Sequence, residues 1–420
     1  MNRFVLKGTV VYNKSKDELT ALPVGYVVCE DGICRGAFEV LPEKYRNYEQ
    51  KDYGSCLIIP GMTDLHVHAP QYTVCGYAMD LELMDWLNAY IFPEEAKYRD
   101  FSYAKESYAG FVHDLVHSPT TRLCAFGTLH TDGTLELMRQ LEEAGFVGYV
   151  GKVSMDRNAP DFLREERAAE SLTDWLSRCN FHNIRPILTP RFIPACSNQL
   201  MREIGALQAR THLPLQSHLS ENPIEIAFVK ELCPDSDFYG DAYDRFGTFG
   251  TSGSTIMAHC VYSDEAEIER MKKNHVYVAH CAESNFNLSS GIAPARRFLD
   301  AGLHMGLGTD IGAGTSVSMF RSVKEAIIAS KMYWRLIDAS QPPLTFSEAF
   351  YLATRGGGSF FGKAGSFEDG FDFDAVVIDD RKVRTPLPEN PVNRLERVIY
   401  ADDCHTVIGK YIQGRQIALS

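Results

Sequence analysis

Five side chains that can bind a metal ion or transfer protons stand at the ends of short apolar runs. His66 and His68 close MTDLHVH, His218 follows in PLQSHLS, His259 in STIMAHC and Asp310 in HMGLGTD. Histidines at positions i and i+2 of a strand point to the same face. Three imidazoles and one carboxylate suit Zn(II) or Fe(II). If the runs are strands of one sheet, the residues predict a metal site at its edge.

Chance and ordinary burial are the alternatives. An HxH pair alone is a weak signal, and each of the five could be a core side chain with satisfied hydrogen bonds. Independent burial does not explain why all five fall at the same end of their strands, so a metal site is favoured. His280 also ends such a run, but Glu283, Ser284 and Asn285 follow it closely as hydrogen-bond partners. We therefore predict a structural role for His280.

Glu221 follows His218 by three residues, in the string SHLSE. A carboxylate just beyond a strand end can reach a water at the metal and act as general base and acid. The alternative is an N-cap or first-turn position of the helix that NPIEIAFVKEL predicts, where acidic residues are favourable. The position alone leaves both open.

The elements that must bring these residues together recur along the chain. The first of eight apolar runs begins at Met62 and the last at His304, 242 residues later. The average interval between successive runs is about 35 residues, which fits the length of a βαβ unit. The segments between the runs have apolar residues at three-to-four spacing, typical of helices. The eight runs are MTDLHVH, RLCAFGTLH, YVGKVSM, IRPILTP, PLQSHLS, STIMAHC, VYVAHC and HMGLGTD. They predict an α/β fold with a (β/α)8 TIM-type barrel over 61–370, whose active site lies at the carboxyl ends of the strands.

Both chain ends have a different, β-rich texture. Residues 1–60 contain VLKGTVVYN, VGYVVCEDGICRGAFEVL with a hairpin signal at Asp31-Gly32, and SCLIIPG; the last fifty contain DFDAVVIDD, ERVIYADD and TVIGKYIQGRQI. These runs are predicted strands. We expect 1–60 and 371–420 to form one small β-sandwich domain, with PLPENPVNRLE near 386–396 as a surface loop.

The composition excludes several classes of function. The chain has 42 Lys plus Arg against 55 Asp plus Glu, a net charge of −13, which argues against nucleic acid or an anionic membrane as the main partner. No stretch approaches the roughly 20 apolar residues of a membrane span. The eleven cysteines are scattered without a CxxC pair, so we expect buried thiols and a cytoplasmic location.

Several longer strings resemble one known family, from about residue 55 to 375. PGMTDLHVHAPQY, DWLNAYIFPEE, GKVSMD, ILTPRF, QSHLSE, MAHC and GLGTDIGAG are similar to the guanine deaminases of the metal-dependent amidohydrolase superfamily. The resemblance implies the barrel with a β-sandwich built from both ends, one zinc ion per chain (with Fe(II) as the alternative), and a homodimer. It also implies a purine substrate and hydrolysis of guanine to xanthine and ammonia.

The resemblance assigns roles position by position. The implied metal ligands are His66, His68, His218 and Asp310. The implied catalytic residues are Glu221 as proton shuttle, His259 near the hydrolytic water, and Asp310, which orients that water. The implied substrate-binding residues are Gln71, Trp86, Arg191, Phe192, His218 and Glu221.

The chemistry of guanine explains these residue types. An arginine suits the O6 and N7 acceptors, and an amide such as Gln71 can donate and accept at the purine edge. Adenine would leave such donors unpaired, and Phe192 would stack on the ring. The alternatives are a surface or interdomain ion pair for Arg191 and core packing for Phe192.

The chain departs from the family in one place. Many relatives have HCPNSN where this chain has HCAESN, so Ala282 and Glu283 put the shape of one side of the pocket in doubt. A relative that acts on a pterin, a triazine or another purine would share every metal ligand. A non-catalytic scaffold is a third hypothesis, but such proteins usually lose metal ligands.

A second histidine pair resembles the zincin motif HExxH. In HDLVH, from His113 to His117, an aspartate replaces the required glutamate and the segment is a predicted helix outside the barrel. We predict no catalytic metal there.

Overall fold

The computed structural model describes residues 2–419 except 384, 388 and 402–405. The strands are β1 (Arg3–Ser15), β2 (Glu18–Glu30), β3 (Ile33–Phe38), β4 (Glu49–Pro60), β5 (Met62–His68), β6 (Thr120–Phe126), β7 (Val147–Gly151), β8 (Val153–Ser154), β9 (Ile184–Pro186), β10 (Thr189–Pro190), β11 (Leu215–Leu219), β12 (Thr255–His259), β13 (Tyr277–His280), β14 (His304–Leu307), β15 (Ala375–Ile378), β16 (Val407–Ile412) and β17 (Arg415–Ile417). The helices are α1 (Leu83–Trp86), α2 (Phe92–Lys97), α3 (Phe101–His117), α4 (Thr131–Ala144), α5 (Ala168–Arg178), α6 (Asn198–Thr211), α7 (Pro223–Leu232), α8 (Tyr239–Arg245), α9 (Glu265–Lys273), α10 (Ala282–Asn287), α11 (Ala295–Ala301), α12 (Met319–Leu336), α13 (Phe346–Tyr351) and α14 (Pro391–Ala401).

The two ends of the chain share one seven-stranded sheet, in the order β17-β16-β15-β4-β1-β2-β3. The C-terminal strands join it through β15, which pairs antiparallel with β4. The turn between β2 and β3 lies at Asp31-Gly32, where φ is 50° and 83°. Glycine adopts such left-handed values without strain and aspartate tolerates them, which explains the hairpin signal in the sequence.

The eight predicted runs all form strands of a closed parallel barrel. β5, β6, β7 and β9 pair in parallel, as do β11 to β14. Backbone hydrogen bonds at Leu188 connect the β9–β10 region to β11. Asp310 N donates to His66 O at 2.8 Å, and His68 N donates to Ile311 O at 3.0 Å. The segment after β14 therefore closes the barrel against β5, beside two of the predicted metal ligands.

The helices of the barrel bury the apolar faces that the sequence predicts. In α6, for example, Leu200, Ile204 and Leu207 are buried, and Ser197 caps the helix by accepting from Leu200 N. The N-caps of α9 and α12 are Asp264 and Ser318.

One predicted strand is wrong. Within ERVIYADD, residues 396–401 belong to α14, and the next two lie outside the described residues. The side chain of Asn390 accepts from Asn393 N at 2.9 Å, and Pro391 takes the first helical position. Leu395, Val398 and Ile399 are buried, so the apolar run has helical spacing. The predicted loop 386–396 ends in this helix.

A buried ion pair links the barrel to the terminal sheet. Arg122 of β6 donates to Asp374 at 2.5 Å and to Asp372 at 2.7 Å, and its side chain is only 2% exposed. Both carboxylates lie just before β15. Removing either would leave a buried guanidinium without part of its compensation.

The fold class predicted from the sequence, an α/β barrel of the (β/α)8 type with a terminal β-domain, is confirmed. The boundaries 1–60 plus 371–420 and 61–370 stay a prediction. Among the described residues, no helix has the length and apolar character needed to cross a membrane.

Candidate active site

The predicted metal ligands meet at the carboxyl end of the barrel. His68 Nε2 lies 3.1 Å from His218 Nε2, and Asp310 Oδ1 lies 3.2 Å from His66 Nε2 and 3.6 Å from His68 Nε2. One ring nitrogen each of His66, His68 and His218 lies within 4.8 Å of the other two. His66, His259 and Asp310 form a second such group. These side chains span 244 residues of sequence, from His66 to Asp310, and converge on one point.

The pKa values of these groups are shifted in the directions that favour cation binding. Burial lowers the pKa of His66, and burial with the neighbouring imidazoles lowers the pKa of His68 and of His218 well below the ordinary value. Burial alone would raise the pKa of Asp310, but the charges of His66 and His259 hold it well below its usual range. These pKa shifts favour neutral imidazoles and an ionised carboxylate, the forms in which these groups bind a metal.

The buried ring of His66 gives a test of whether a metal fits. Neither of its nitrogens has a hydrogen-bond partner within the described chain, although the ring is fully buried. An unsatisfied buried polar group is costly, and coordination of a cation would satisfy Nε2. The residues present therefore fit a divalent metal with nitrogen and oxygen ligands.

Hydrogen bonds at the Nδ1 atoms orient two of the imidazoles. His218 Nδ1 lies 2.6 Å from the carbonyl oxygen of Arg191, and His259 Nδ1 lies 2.9 Å from Asn285 Oδ1. Since both partners are acceptors, Nδ1 carries the proton in each ring. The Nε2 atoms therefore face the convergence point, which is the usual arrangement behind a metal-binding histidine.

Glu221 lies beside this cluster and does not cap the helix that follows. Its Oε2 lies 3.5 Å from His259 Nε2, and its Oε1 accepts from Ser290 Oγ at 3.1 Å. The N-cap of α7 is Asn222, which accepts from Ile224 N. Of the two readings of Glu221, the position at the reactive end of the pocket is the one that the structure favours.

Three strand ends that carry these side chains have left-handed backbone conformations. φ is 48° at Ser220, 73° at His259 and 49° at Asp310. Such values are uncommon for residues other than glycine and cluster at functional sites. The turn at Ser220 places Glu221 directly beyond β11 with its side chain in the pocket.

A pocket opens above the cluster. Apart from His66, which lies beneath it, every predicted site residue lines it. The lining residues are His68, Gln71, Leu83, Trp86, Leu87, Arg191, Phe192, His218, Glu221, Glu225, His259, Leu288, Asp310 and Ala313. Leucines and Trp86 from the segment around α1 supply an apolar wall opposite the polar cluster. The mixed apolar and polar lining suits a small planar ligand with polar edges.

Gln71 and Arg191 are held by buried partners. Gln71 lies in the turn after β5; its Nε2 donates to Glu95 Oε1 at 2.9 Å, and its Oε1 accepts from Gly312 N at 3.1 Å. Arg191, after β10, donates from Nη1 to Glu95 Oε2 at 2.5 Å. The ion pair of Arg191 is therefore inside the barrel mouth and not at the surface. Phe192 lies next to it, with its ring 6.5 Å from the ring of His218.

Comparisons with known proteins agree with this geometry. Residues 57–417 match the sequence model of the amidohydrolase family. The chain belongs to the amidohydrolase family. Guanine deaminase of Rattus norvegicus is 36% identical over 86% of this amidohydrolase and 82% of its own length, and that of Dictyostelium discoideum is 33% identical over 98% of each. The crystal structure of guanine deaminase from C. acetobutylicum with bound guanine superposes with a TM-score of 0.96 at 44% identity, over 99% of this chain and 100% of that one.

Sequence reasoning missed three buried acids of this amidohydrolase. Glu95 joins Gln71 to Arg191, Glu225 lines the pocket, and Asp64 accepts from Thr309 at 2.5 Å between β5 and the end of β14. The sequence did contain signals for two of these buried acids. Asp64 lies two residues before His66, and Glu95 ends the string DWLNAYIFPEE. A carboxylate inside an apolar segment is rarely buried without a partner.

The hydrogen bonds expected for His280 are wrong. Ser284 Oγ, one of the three expected partners, makes no hydrogen bond in the described chain. Asn285 binds His259, and Glu283 binds Thr315 and Arg321, so neither is a partner of His280, whose nitrogens have none in the described chain.

The two residues that depart from the family pattern, Ala282 and Glu283, are not among the residues that line the pocket. Ala282 begins α10, Glu283 faces Arg321, and the pocket wall on this side is formed by Leu288 and Ala313.

The second histidine pair lies on α3 and is not among the residues that line the candidate active-site pocket. The side chain of His113 is 63% exposed, and Nδ1 of His117 bonds to the carbonyl oxygen of His113 within the helix.

Proposed function

We propose that this amidohydrolase is a guanine deaminase, which hydrolyses guanine to xanthine and ammonia. The observation that carries the proposal is the pocket itself. It is lined by His68, His218 and Asp310 of the predicted metal site, by Glu221, and by the pair Gln71 and Arg191. Guanine deaminases at 33 to 44% identity that cover most or all of the chain support the choice of substrate.

Arg191 and Gln71 recognise the purine in this proposal. Their N–H groups face the O6 and N7 acceptors of guanine, which adenine does not match because it carries an amino group at C6. The apolar wall with Trp86 and the ring of Phe192 enclose the faces of the base. A buried site built on such hydrogen bonds rejects an analogue that lacks the matching group, because its donors would stay unpaired.

Glu221 moves the protons. Its carboxylate takes a proton from the attacking water and delivers it to N3 of guanine as the water oxygen bonds to C2. The remaining hydroxyl proton then passes through Glu221 to the amino nitrogen, so that ammonia leaves and the C2 carbonyl of xanthine forms. One carboxylate can serve both transfers because it is regenerated between them.

His259 and Asp310 complete the site. Burial alone would lower the pKa of His259, but Glu221 and Asp310 outweigh it and raise that pKa. In its protonated form this imidazole would stabilise the negative charge that develops on the oxygen. Asp310 orients the water through Oδ2, which lies 3.8 Å from His259 Nε2. Its other oxygen, Oδ1, lies 3.2 Å from His66 Nε2 of β5.

We propose one zinc ion per chain, held by His66, His68, His218 and Asp310. A divalent cation there supplies the Lewis acidity that brings the pKa of water close to 7. Fe(II) accepts the same donors and is the alternative metal. We also propose a homodimer and a cytoplasmic location, on the resemblance to guanine deaminases and on the composition of the chain.

The alternative substrates are a pterin, a triazine or another purine, which would use the same metal ligands. The test is to incubate the metal-loaded chain with guanine and with a panel of these heterocycles, and to quantify xanthine and ammonia. The proposal expects guanine to have the highest kcat/KM. Turnover of a panel compound without xanthine formation from guanine would replace it with the alternative.

A non-catalytic scaffold is tested by elemental analysis of the same preparation. The proposal expects a divalent metal close to one per chain. Absence of both metal binding and turnover after zinc or iron is supplied would favour the scaffold.

A further inference from the structure

Helix α2 brings two side chains against the guanidinium of Arg191. Phe92 and Glu95 are three residues apart, so they lie on the same face of the helix. The guanidinium carbon of Arg191 lies 5.2 Å from the centre of the Phe92 ring, and its Nη1 donates to Glu95 Oε2. All three side chains are buried. The ring fixes the plane of the guanidinium and the carboxylate fixes its rotation within that plane.

The second oxygen of the same carboxylate fixes the amide of Gln71. The amide lies between Glu95 Oε1, which can only accept, and the backbone N–H of Gly312, which can only donate. One of the two amide orientations satisfies both partners, and the flipped one satisfies neither. The second N–H of Gln71 is therefore held as a donor for a further acceptor.

Glu95 lies behind these two residues and is not one of the side chains that line the pocket. We infer that Glu95 is a positioning residue that sets substrate specificity, by aligning Gln71 and Arg191 as paired hydrogen-bond donors toward the acceptor edge of a 6-oxopurine. This inference rests on the proposed function. A carboxylate accepts from both donors at once, through one oxygen each. Glutamine at this position has a single acceptor oxygen and brings an N–H that opposes one of the donors.

The test compares two bases that keep the reacting amino group. Guanine has the 6-oxo acceptor, whereas 2-aminopurine lacks it. 2-Aminopurine is measured as a substrate or, where it is not turned over, as a competitive inhibitor of guanine deamination. For Glu95→Gln we expect kcat/KM with guanine to fall roughly 10- to 100-fold, mainly through KM. The constant for 2-aminopurine should change little, so the preference for guanine falls.

Glu94→Gln is the matched control. Glu94 is the neighbouring acid of α2 and equally buried, but it bonds to Thr73 and Lys97 away from Arg191. This control substitution should leave the preference for guanine over 2-aminopurine at the wild-type value. Equal losses for both bases in Glu95→Gln, or no loss for guanine, would overturn the inference.

Two arrangements keep the test decisive. If Glu95→Gln does not fold, Glu95→Asp replaces it with Glu94→Asp as control, because a carboxylate withdrawn by one methylene cannot reach both donors. The expected and contradicting results are the same. A wild-type chain that leaves guanine unchanged defeats the proposed function itself, whereas a wild-type chain that is active with an unaltered ratio in the variant defeats only the role of Glu95.

Discussion

Replacing Glu221 by glutamine removes the proton-transferring carboxylate with little change in the size of the side chain. The side chain is 4% exposed, and its Oε1 accepts from Ser290 Oγ at 3.1 Å, a bond that the amide oxygen of glutamine can keep. The amide cannot take a proton from water or deliver one to N3. General acid and base catalysis contributes about 10²- to 10⁴-fold, or about 3 to 5 kcal/mol of barrier. Because the same carboxylate serves two transfers, we expect kcat to fall by at least about 10²-fold.

The other properties should stay close to those of the wild type. The contacts of Gln71 and Arg191 do not include Glu221, so KM for guanine should change much less than kcat. The cluster of His66, His68 and His218 is also independent of it, so metal content should be unchanged.

Xanthine formation followed by ultraviolet absorbance, with elemental analysis of the same sample, measures all three quantities, and Glu94→Gln controls for loss of a buried acid. Turnover at the wild-type rate with metal bound would remove Glu221 from the mechanism. Loss of the metal together with activity would show that it acts on the metal site instead.

Three further predictions concern stability and the second histidine pair. Burial, and then the charge of Glu221, raises the pKa of Glu225 from 4.5 to about 7 in the folded chain. The carboxyl of Glu225 therefore ionises at a lower pH in the unfolded chain than in the folded chain. The free energy of unfolding consequently falls as pH rises from 4.5 to 7. Glu225→Gln should remove up to about 3 kcal/mol of that fall. Tm measured across this range tests it, and the exposed Glu231→Gln should reproduce the wild-type slope; parallel slopes for all three proteins would contradict it. Asp374→Ala should lower the free energy of unfolding by about 3 kcal/mol in denaturant titrations, because it uncovers the buried charge of Arg122. An unchanged midpoint would show that Asp372 alone compensates that charge. His113→Ala should leave both kcat and tightly bound metal at wild-type values, and loss of either would give HDLVH a role that the structure does not assign.

The barrel could be predicted because its signal is repetitive. Eight buried strand runs at similar spacing leave few ways to satisfy the backbone and bury the apolar residues. The polar side chains fall at strand ends such as His68 and His218, so the sheet geometry alone brings them together. Their convergence is a consequence of the fold and could be read from the residue types.

The contacts that orient these side chains could not be predicted in the same way. Glu95 meets Arg191 across 96 residues, and Asn285 meets His259 across 26. Such pairs depend on where loops pass in space, for which the sequence has no period. The expected bonds of His280 were wrong for this reason, because neighbours in sequence were chosen over neighbours in the fold.

The helix α14 shows the limit of local patterns. The run VIY at its end has high β-propensity, but packing of Leu395, Val398 and Ile399 on one face decides its structure. Short β-branched runs are ambiguous between strand and helix when read alone. The preceding Asn390 and Pro391 were the available helix-start signal.

The central claim is that one divalent ion at His66, His68, His218 and Asp310 drives the hydrolysis of guanine. The most direct measurement is a titration of metal-free protein with zinc while ammonia release from guanine is followed. We expect activity to rise linearly and to reach a plateau at one equivalent per chain. Full activity before zinc is added, or a protein that binds zinc at that ratio without releasing ammonia, would contradict the claim.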